Sequence, residues 1–156
     1  MLTIDEAAVF VDAARRRGQR VVFTNGVFDL LHPGHIRYLQ AARAEGDVLI
    51  VGVNSDRSVA ANKGPSRPIM PVRERAEVLE ALAAVDVVVI FDAETPQEII
   101  DRLRPDVLVK GADWAADAIV GRATVEEGGG KVVRVPIEPG WSTSAIIERA
   151  KAASGR

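Results

Sequence analysis

Five short segments rich in Val, Leu and Ile recur along the chain, at residues 21–24, 48–53, 87–91, 107–110 and 132–136. Each is nearly continuous in apolar residues instead of alternating with polar ones, the pattern of a strand covered on both faces. Strands of that kind belong in a parallel sheet between helical layers, so the intervening segments must supply helices. Strands alternating with helices imply right-handed crossovers and an α/β fold: a Rossmann-like, doubly wound, five-stranded parallel sheet. The expected strand order is 3-2-1-4-5, with ligands at the carboxyl ends of the first and fourth strands, where the order reverses.

The segments between the strands have helical period. The first opens at Thr3-Ile4-Asp5-Glu6, a capping box, and runs to Gly18 after three arginines that suit the negative end of the helix dipole. Residues 33–45 carry Ile36, Leu39 and Ala42 on one stripe and stop at Gly46; residues 72–84 repeat the stripe with Val72, Ala76, Leu79 and Leu82. Thr95-Pro96-Gln97-Glu98 reads as a second capping box with Pro at the first helical position, opening a helix that ends before Pro105. A helix is expected over 117–127 and a last one from Thr143. Residues 61–71 contain Gly64, Pro65, Pro68 and Pro71, so they cannot form one helix and read as a loop over the ligand edge.

Composition narrows the chemistry. With 156 residues, 47% of them hydrophobic, the chain suits one domain around one core. Lys and Arg total 20 against 22 Asp and Glu, which leaves no excess of positive charge for a polyphosphate backbone, so no nucleic-acid partner is expected. No apolar run approaches the roughly 18 residues of a membrane span, and the start MLTIDEAAVF lacks the basic flank of a secretory signal, so a cytoplasmic protein without a membrane partner is expected. The absence of cysteine excludes disulfides, thiolate-ligated zinc and a cysteine nucleophile.

Both histidines of the protein lie within His32-Pro33-Gly34-His35. Pro33 fits the first position of a helix and Gly34 is expected to let a ligand approach the backbone, so the two imidazoles share one face of a first helical turn. A helix N-terminus presents free N–H groups and partial positive charge; two added imidazoles build a site for a phosphate passing through a more negative transition state. A lone histidine would read as a core or capping residue, but two flanking Pro-Gly favour the phosphate site. Zinc would have to recruit Asp29 or another carboxylate, without any Cys/His cluster or HExxH, and no metal ligand is assigned. Neither GxxxxGK[ST] nor GxGxxG occurs, which argues against a P-loop and against standard dinucleotide binding.

The run Thr24-Asn25-Gly26-Val27-Phe28-Asp29-Leu30-Leu31-His32-Pro33-Gly34-His35 is followed by Gly52-Val53-Asn54-Ser55-Asp56, Lys63-Gly64-Pro65, Arg67-Pro68, Arg75-Ala76, Lys110-Gly111-Ala112-Asp113 and Gly140-Trp141-Ser142-Thr143-Ser144. This ordered series resembles the HxGH nucleotidyltransferase superfamily and, within it, the bacterial heptose 1-phosphate adenylyltransferases of ADP-heptose and lipopolysaccharide-precursor synthesis. Val27 stands where many relatives carry Cys, and Ala112-Asp113-Trp114 where Gly-Asp-Tyr is usual; the second change touches the expected nucleotide or sugar pocket.

The resemblance implies a single nucleotidyltransferase domain over 1–156, with an N-terminal helix at 1–18, a catalytic core at 19–151 and a frayed tail at 152–156. It implies transfer of AMP from ATP, carrying Mg²⁺, to a heptose 1-phosphate by direct in-line displacement, without a covalent enzyme intermediate. His32, His35 and Lys63 would be catalytic. Thr24, Asn25, Gly26, Phe28, Arg75, Gly111, Asp113, Trp141, Ser142, Thr143 and Ser144 would join the histidines in binding nucleotide, and Asp29, Asn54 and Lys63 would bind the sugar phosphate. Alternatives stay open: Asp113 as a turn cap, Lys63 as a surface lysine, Arg75 on a solvated helix face, and the hydroxyl cluster as a redundant N-cap. Two other functions compete, a cytidylyltransferase acting on glycerol 3-phosphate or a similar small phosphate, hinted at by Trp114, and a nucleotide-binding module without catalysis. The expected partners are ATP and a sugar 1-phosphate made by a separate kinase and phosphatase, with a homo-oligomer left open.

Overall fold

The computed structural model describes residues 1–136 and 140–154. Its strands are β1 (Val21–Gly26), β2 (Val48–Asn54), β3 (Val87–Phe91), β4 (Val107–Gly111) and β5 (Lys131–Val135). They form one parallel sheet ordered β3-β2-β1-β4-β5, the expected topology. The helices are α1 (Ile4–Arg16), α2 (Pro33–Arg43), α3 (Asp56–Lys63), α4 (Val72–Glu80), α5 (Gln97–Leu103), α6 (Arg122–Glu127) and α7 (Thr143–Ser154). Ala152, expected in a frayed tail, continues α7, while residues 155–156 lie outside the described residues.

Two cores sandwich the sheet. On one face Phe23, Ile50, Val89 and Leu108 pack against Ala7 and Val11 of α1 and Ile99, Ile100 and Leu103 of α5. On the other, Val22, Leu49, Val51 and Val109 pack against Leu39 and Ala42 of α2 and Ala76 and Leu79 of α4. The alternation along each strand is thus apolar to both sides, as continuous apolar runs require. β5, at one edge of the sheet, departs from this pattern: Lys131 and Arg134 are exposed and Val132 and Val133 half-buried. A repeated Asp-Val step pins the opposite end of the sheet. Asp47, Asp86 and Asp106, each one residue before a strand, accept the N–H of Arg20, Leu49 and Val21 at 2.7, 2.7 and 2.8 Å.

Three local expectations are corrected. α3 lies within a region not expected to be helical and extends into the predicted loop; Ser55 caps it by accepting the Ser58 N–H, but only Ser58 and Val59 are buried, so its apolar period is weak. Thr95 does not cap α5: Pro96 occupies the N-cap position, and no side chain accepts a hydrogen bond there. The expected 117–127 helix is split into a 3₁₀ turn at Ala116–Ala118 and α6, with Gly121 between them at φ +84.

Candidate functional site

β1 and β4 pair only at Val22 with Val107 and Phe23 with Leu108. Beyond those pairs the central strands part, and the ends of β1 and β4 open a crevice at the reversal of strand order, where ligands bind in such sheets. Side chains tie the crevice on both faces. Thr24, fully buried, donates through Oγ1 to the Val109 carbonyl at 3.0 Å and meets the Tyr38 hydroxyl at 2.7 Å. On the other face the Lys110 ammonium donates to Asn25 Oδ1. Gly26 faces the Phe28 ring, which a Cβ there would meet at 3.1 Å.

The chain leaving β1 delivers the histidines. Phe28 and Leu30 adopt left-handed backbone conformations, φ +50 and +49, rare for such side chains. Asp29 between them is buried; Arg67 Nε and the N–H groups of Ile69 and Met70 donate to its carboxylate at 2.9, 2.8 and 2.9 Å. Burial pushes this carboxyl up, but those hydrogen bonds and the Arg67 charge outweigh it and hold it below its ordinary 3.8. Asp29 therefore locks the 67–70 segment to the histidine loop. Arg75 does the same from α4: wholly buried, it donates to the carbonyls of Met70 (2.9 Å), Val27 (2.5 Å) and Asn54 (2.8 Å) and to Asp56 Oδ1 (2.8 Å). The solvated-face reading of Arg75 is overturned.

His32 is the N-cap of α2, its Nδ1 accepting the His35 N–H at 3.4 Å, and Pro33 begins the helix as expected. Because Nδ1 accepts, the neutral His32 ring carries its proton on Nε2. The two rings stack, centroids 3.8 Å apart and planes 18° from parallel, and the Phe28 ring meets His35 edge-on at 5.4 Å. Trp141 lies parallel to His32 at 6.3 Å and beneath the Arg149 guanidinium at 5.9 Å. Gly34 serves this packing: a Cβ there would lie 2.9 Å from Trp141 Cβ and 3.1 Å from the His32 ring. That space was expected to admit a ligand; protein fills it. Gly34→Ala is accordingly expected to cost about 1–3 kcal/mol and, by moving His32, to lower turnover about tenfold or more; urea unfolding and initial rates check both.

Burial favours the neutral form of both imidazoles. It lowers His32 and, with the neighbouring His32 charge, brings His35 to about 4 despite the opposing pull of Asp29. His35 Nδ1 is buried with no hydrogen-bond partner among the described residues. Above pH 6.5 native and unfolded His35 are both neutral. Between 6.5 and about 4 only the unfolded state takes up the proton, so the free protein should lose stability as pH falls through that window, by up to ~1.4 kcal/mol per pH unit. His35→Phe should flatten that part of the profile, measured by denaturant titration at successive pH values.

The hydroxyl cluster divides its tasks. Ser142 accepts the Ala145 N–H at 3.1 Å and caps α7, Thr143 donates to the Asp29 carbonyl at 2.7 Å, and Ser144 is exposed. The helix N-terminus is thereby fastened beside the histidines. Asn54 Nδ2 donates to Ser58 Oγ at 3.0 Å. Gly111 ends β4, and Asp113 and Trp114 stand exposed just after it. Lys63 is exposed at the last residue of α3, with no hydrogen bond to the other site residues. Sequence reasoning placed Lys110 in the motif series without giving it a role and passed over Tyr38. A lysine ending an otherwise apolar strand was the available signal for Lys110; Tyr38 looked like one more position on an amphipathic helix.

Comparison with known proteins agrees with this geometry. The chain is 54% identical over 139 residues to the Bifunctional protein HldE of Syntrophotalea carbinolica, covering 89% of this chain and 28% of that protein. The HldE of Koribacter versatilis is also 54% identical, over 149 residues, covering 96% of this chain and 31% of the relative. The chain thus spans about three-tenths of the length of these relatives. Among solved structures, a lipopolysaccharide core biosynthesis protein from Thermoplasma volcanium superposes with a TM-score of 0.64 at 31% identity, over 78% of this chain and 98% of that one. A pantoate-beta-alanine ligase from Francisella tularensis, 16% identical, shares the fold with a TM-score of 0.61 over 99% of this chain and 78% of that one. With residues 23–149 matching the family and the paired histidines at the head of α2, the chain belongs to the Cytidylyltransferase-like family.

Proposed function

We propose that the chain transfers AMP from ATP to a heptose 1-phosphate, releasing pyrophosphate. The observation that carries this reading is the stacked pair His32 and His35 at the N-terminus of α2, with the start of α7 fastened beside it through Thr143 and Asp29. An oxygen of the sugar phosphate attacks the α-phosphorus as the bond to the pyrophosphate oxygen breaks, and the electron pair leaves with pyrophosphate. The histidines donate neutral hydrogen bonds to the crowded phosphate, and the N–H groups at the starts of α2 and α7 face the departing one. Asp29 and Arg75 are positioning residues in this scheme: Asp29 ties the 67–70 segment to the loop that carries the histidines, and Arg75 holds that loop at the Val27 carbonyl. Lys63 supplies a point charge from the loop side.

Mg²⁺ belongs to ATP here. It would be held mostly by phosphate oxygens and water. Bound there, it neutralises phosphate charge. No helix among the described residues is long and apolar enough to cross a membrane. The identity to the HldE proteins favours heptose over glycerol phosphate and ATP over CTP. Coupled detection of pyrophosphate over a panel of sugar 1-phosphates with ATP and with CTP tests this. Turnover is expected with ATP and heptose 1-phosphate, and release with CTP alone would sink the adenylyl assignment.

A further inference from the structure

Lys110 is the least expected charge in the molecule. Its side chain is 8% exposed, its ammonium has three donors, and the Asn25 side-chain oxygen is its acceptor. Among the described residues no carboxylate lies within ion-pair distance, and burial lowers the group to about 8, leaving it mostly protonated at neutral pH. A buried ammonium without a counter-ion is costly and calls for an anion from outside the chain.

Its position says which anion. Strand alternation places Lys110 with Leu108, and Asn25 with Phe23, on the α1 and α5 side of the sheet; the histidines ride on α2 at the other side. The crevice between β1 and β4 separates them. In-line displacement sets the attacking oxygen and the leaving pyrophosphate on opposite sides of the α-phosphorus. With pyrophosphate facing α2 and α7, the attacking phosphate approaches from the Lys110 side. We infer that Lys110, held by Asn25, binds the phosphate group of the acceptor substrate. This rests on the adenylyl transfer proposed above and adds to it the residue that selects a phosphorylated acceptor.

Two measurements test it. Pyrophosphate release is followed with ATP and heptose 1-phosphate varied independently, for the wild type, Lys110→Met and Lys110→Arg. Separately, the labelled ε-carbon of Lys110 is followed by NMR in the wild type while inorganic phosphate is added over a saturating non-hydrolysable ATP analogue. Lys110→Met should raise KM for the sugar phosphate by about 10- to 100-fold, leave KM for ATP within about twofold, and be partly rescued by Lys110→Arg, while the wild-type resonance moves with phosphate. A rise confined to KM for ATP, or an unchanged acceptor KM in a folded Lys110→Met, overturns the inference. If the wild type releases no pyrophosphate with these substrates, the functional reading fails by itself. The resonance then decides: movement with phosphate upholds the anion site, and a static signal overturns it. Should Lys110→Met not fold, Lys110→Arg and the resonance decide in the same way.

Discussion

Replacing His35 with alanine is expected to lower kcat by about 10²- to 10³-fold, the usual loss for one donor that stabilises developing charge, while the protein stays folded. The ring contributes little to the core: it stacks on His32, meets Phe28 by its edge, and leaves its buried Nδ1 without a hydrogen-bond partner among the described residues. A buried polar atom unsatisfied in the free protein is a cost that a ligand contact would offset. Removing the ring therefore removes catalysis more than stability. His32→Ala should lose as much rate and in addition some stability, because His32 also caps α2; the 3.4 Å cap bond is long, so that loss belongs at the low end of about 0.5–2 kcal/mol. Pyrophosphate release and circular dichroism melting, run on the same preparations, separate the two effects. Near-normal turnover in a folded His35→Ala would show that the ring is structural.

Arg75→Met is expected to produce the largest stability loss of any single substitution considered, about 3–5 kcal/mol, or a melting temperature lower by roughly 6–20 °C for a domain of this size. The guanidinium reaches four acceptors in four segments: the loop after β1, the end of β2, the start of α3 and the loop before α4. Methionine restores most of the volume, but leaves the carbonyls of Val27, Asn54 and Met70 without their donor. Each unsatisfied buried group costs about 1–3 kcal/mol. Lysine should not rescue, since one ammonium cannot span the directions of a planar fork. Because Val27 lies five residues before His32, the surviving folded fraction should also be slow. A surface arginine would change stability by no more than about 0.5 kcal/mol, so a small effect would overturn the hub.

Much of this was legible in the linear order of residues. Short-range physics carries it: Thr3 and Glu6 bind each other across one helical turn, Pro33 starts α2, and unbroken apolar runs mark strands covered on both faces. The expected order 3-2-1-4-5 is the observed one, although crossover handedness by itself also allows 2-1-3-4-5. The misses were local too, but weak in signal. α3 buries two residues and so has almost no stripe to read, and Thr95 looked like a cap only because Thr-Pro-Gln-Glu matches the pattern that Thr3 fulfils.

What the sequence by itself determined is the α/β alternation and the pair of histidines at the head of a helix, both set by caps and periods within a few residues. Only the tertiary structure decided what the polar residues do. Asp29 grips backbone 40 and 41 positions away and is touched by Thr143 from 114 away; Lys110 reaches Asn25 across 85; Gly34 is small because Trp141 packs on it. An arginine in a run of charges looks the same whether solvent or four acceptors surround it. The difference lies in partners that chain topology brings together, and no local period encodes them.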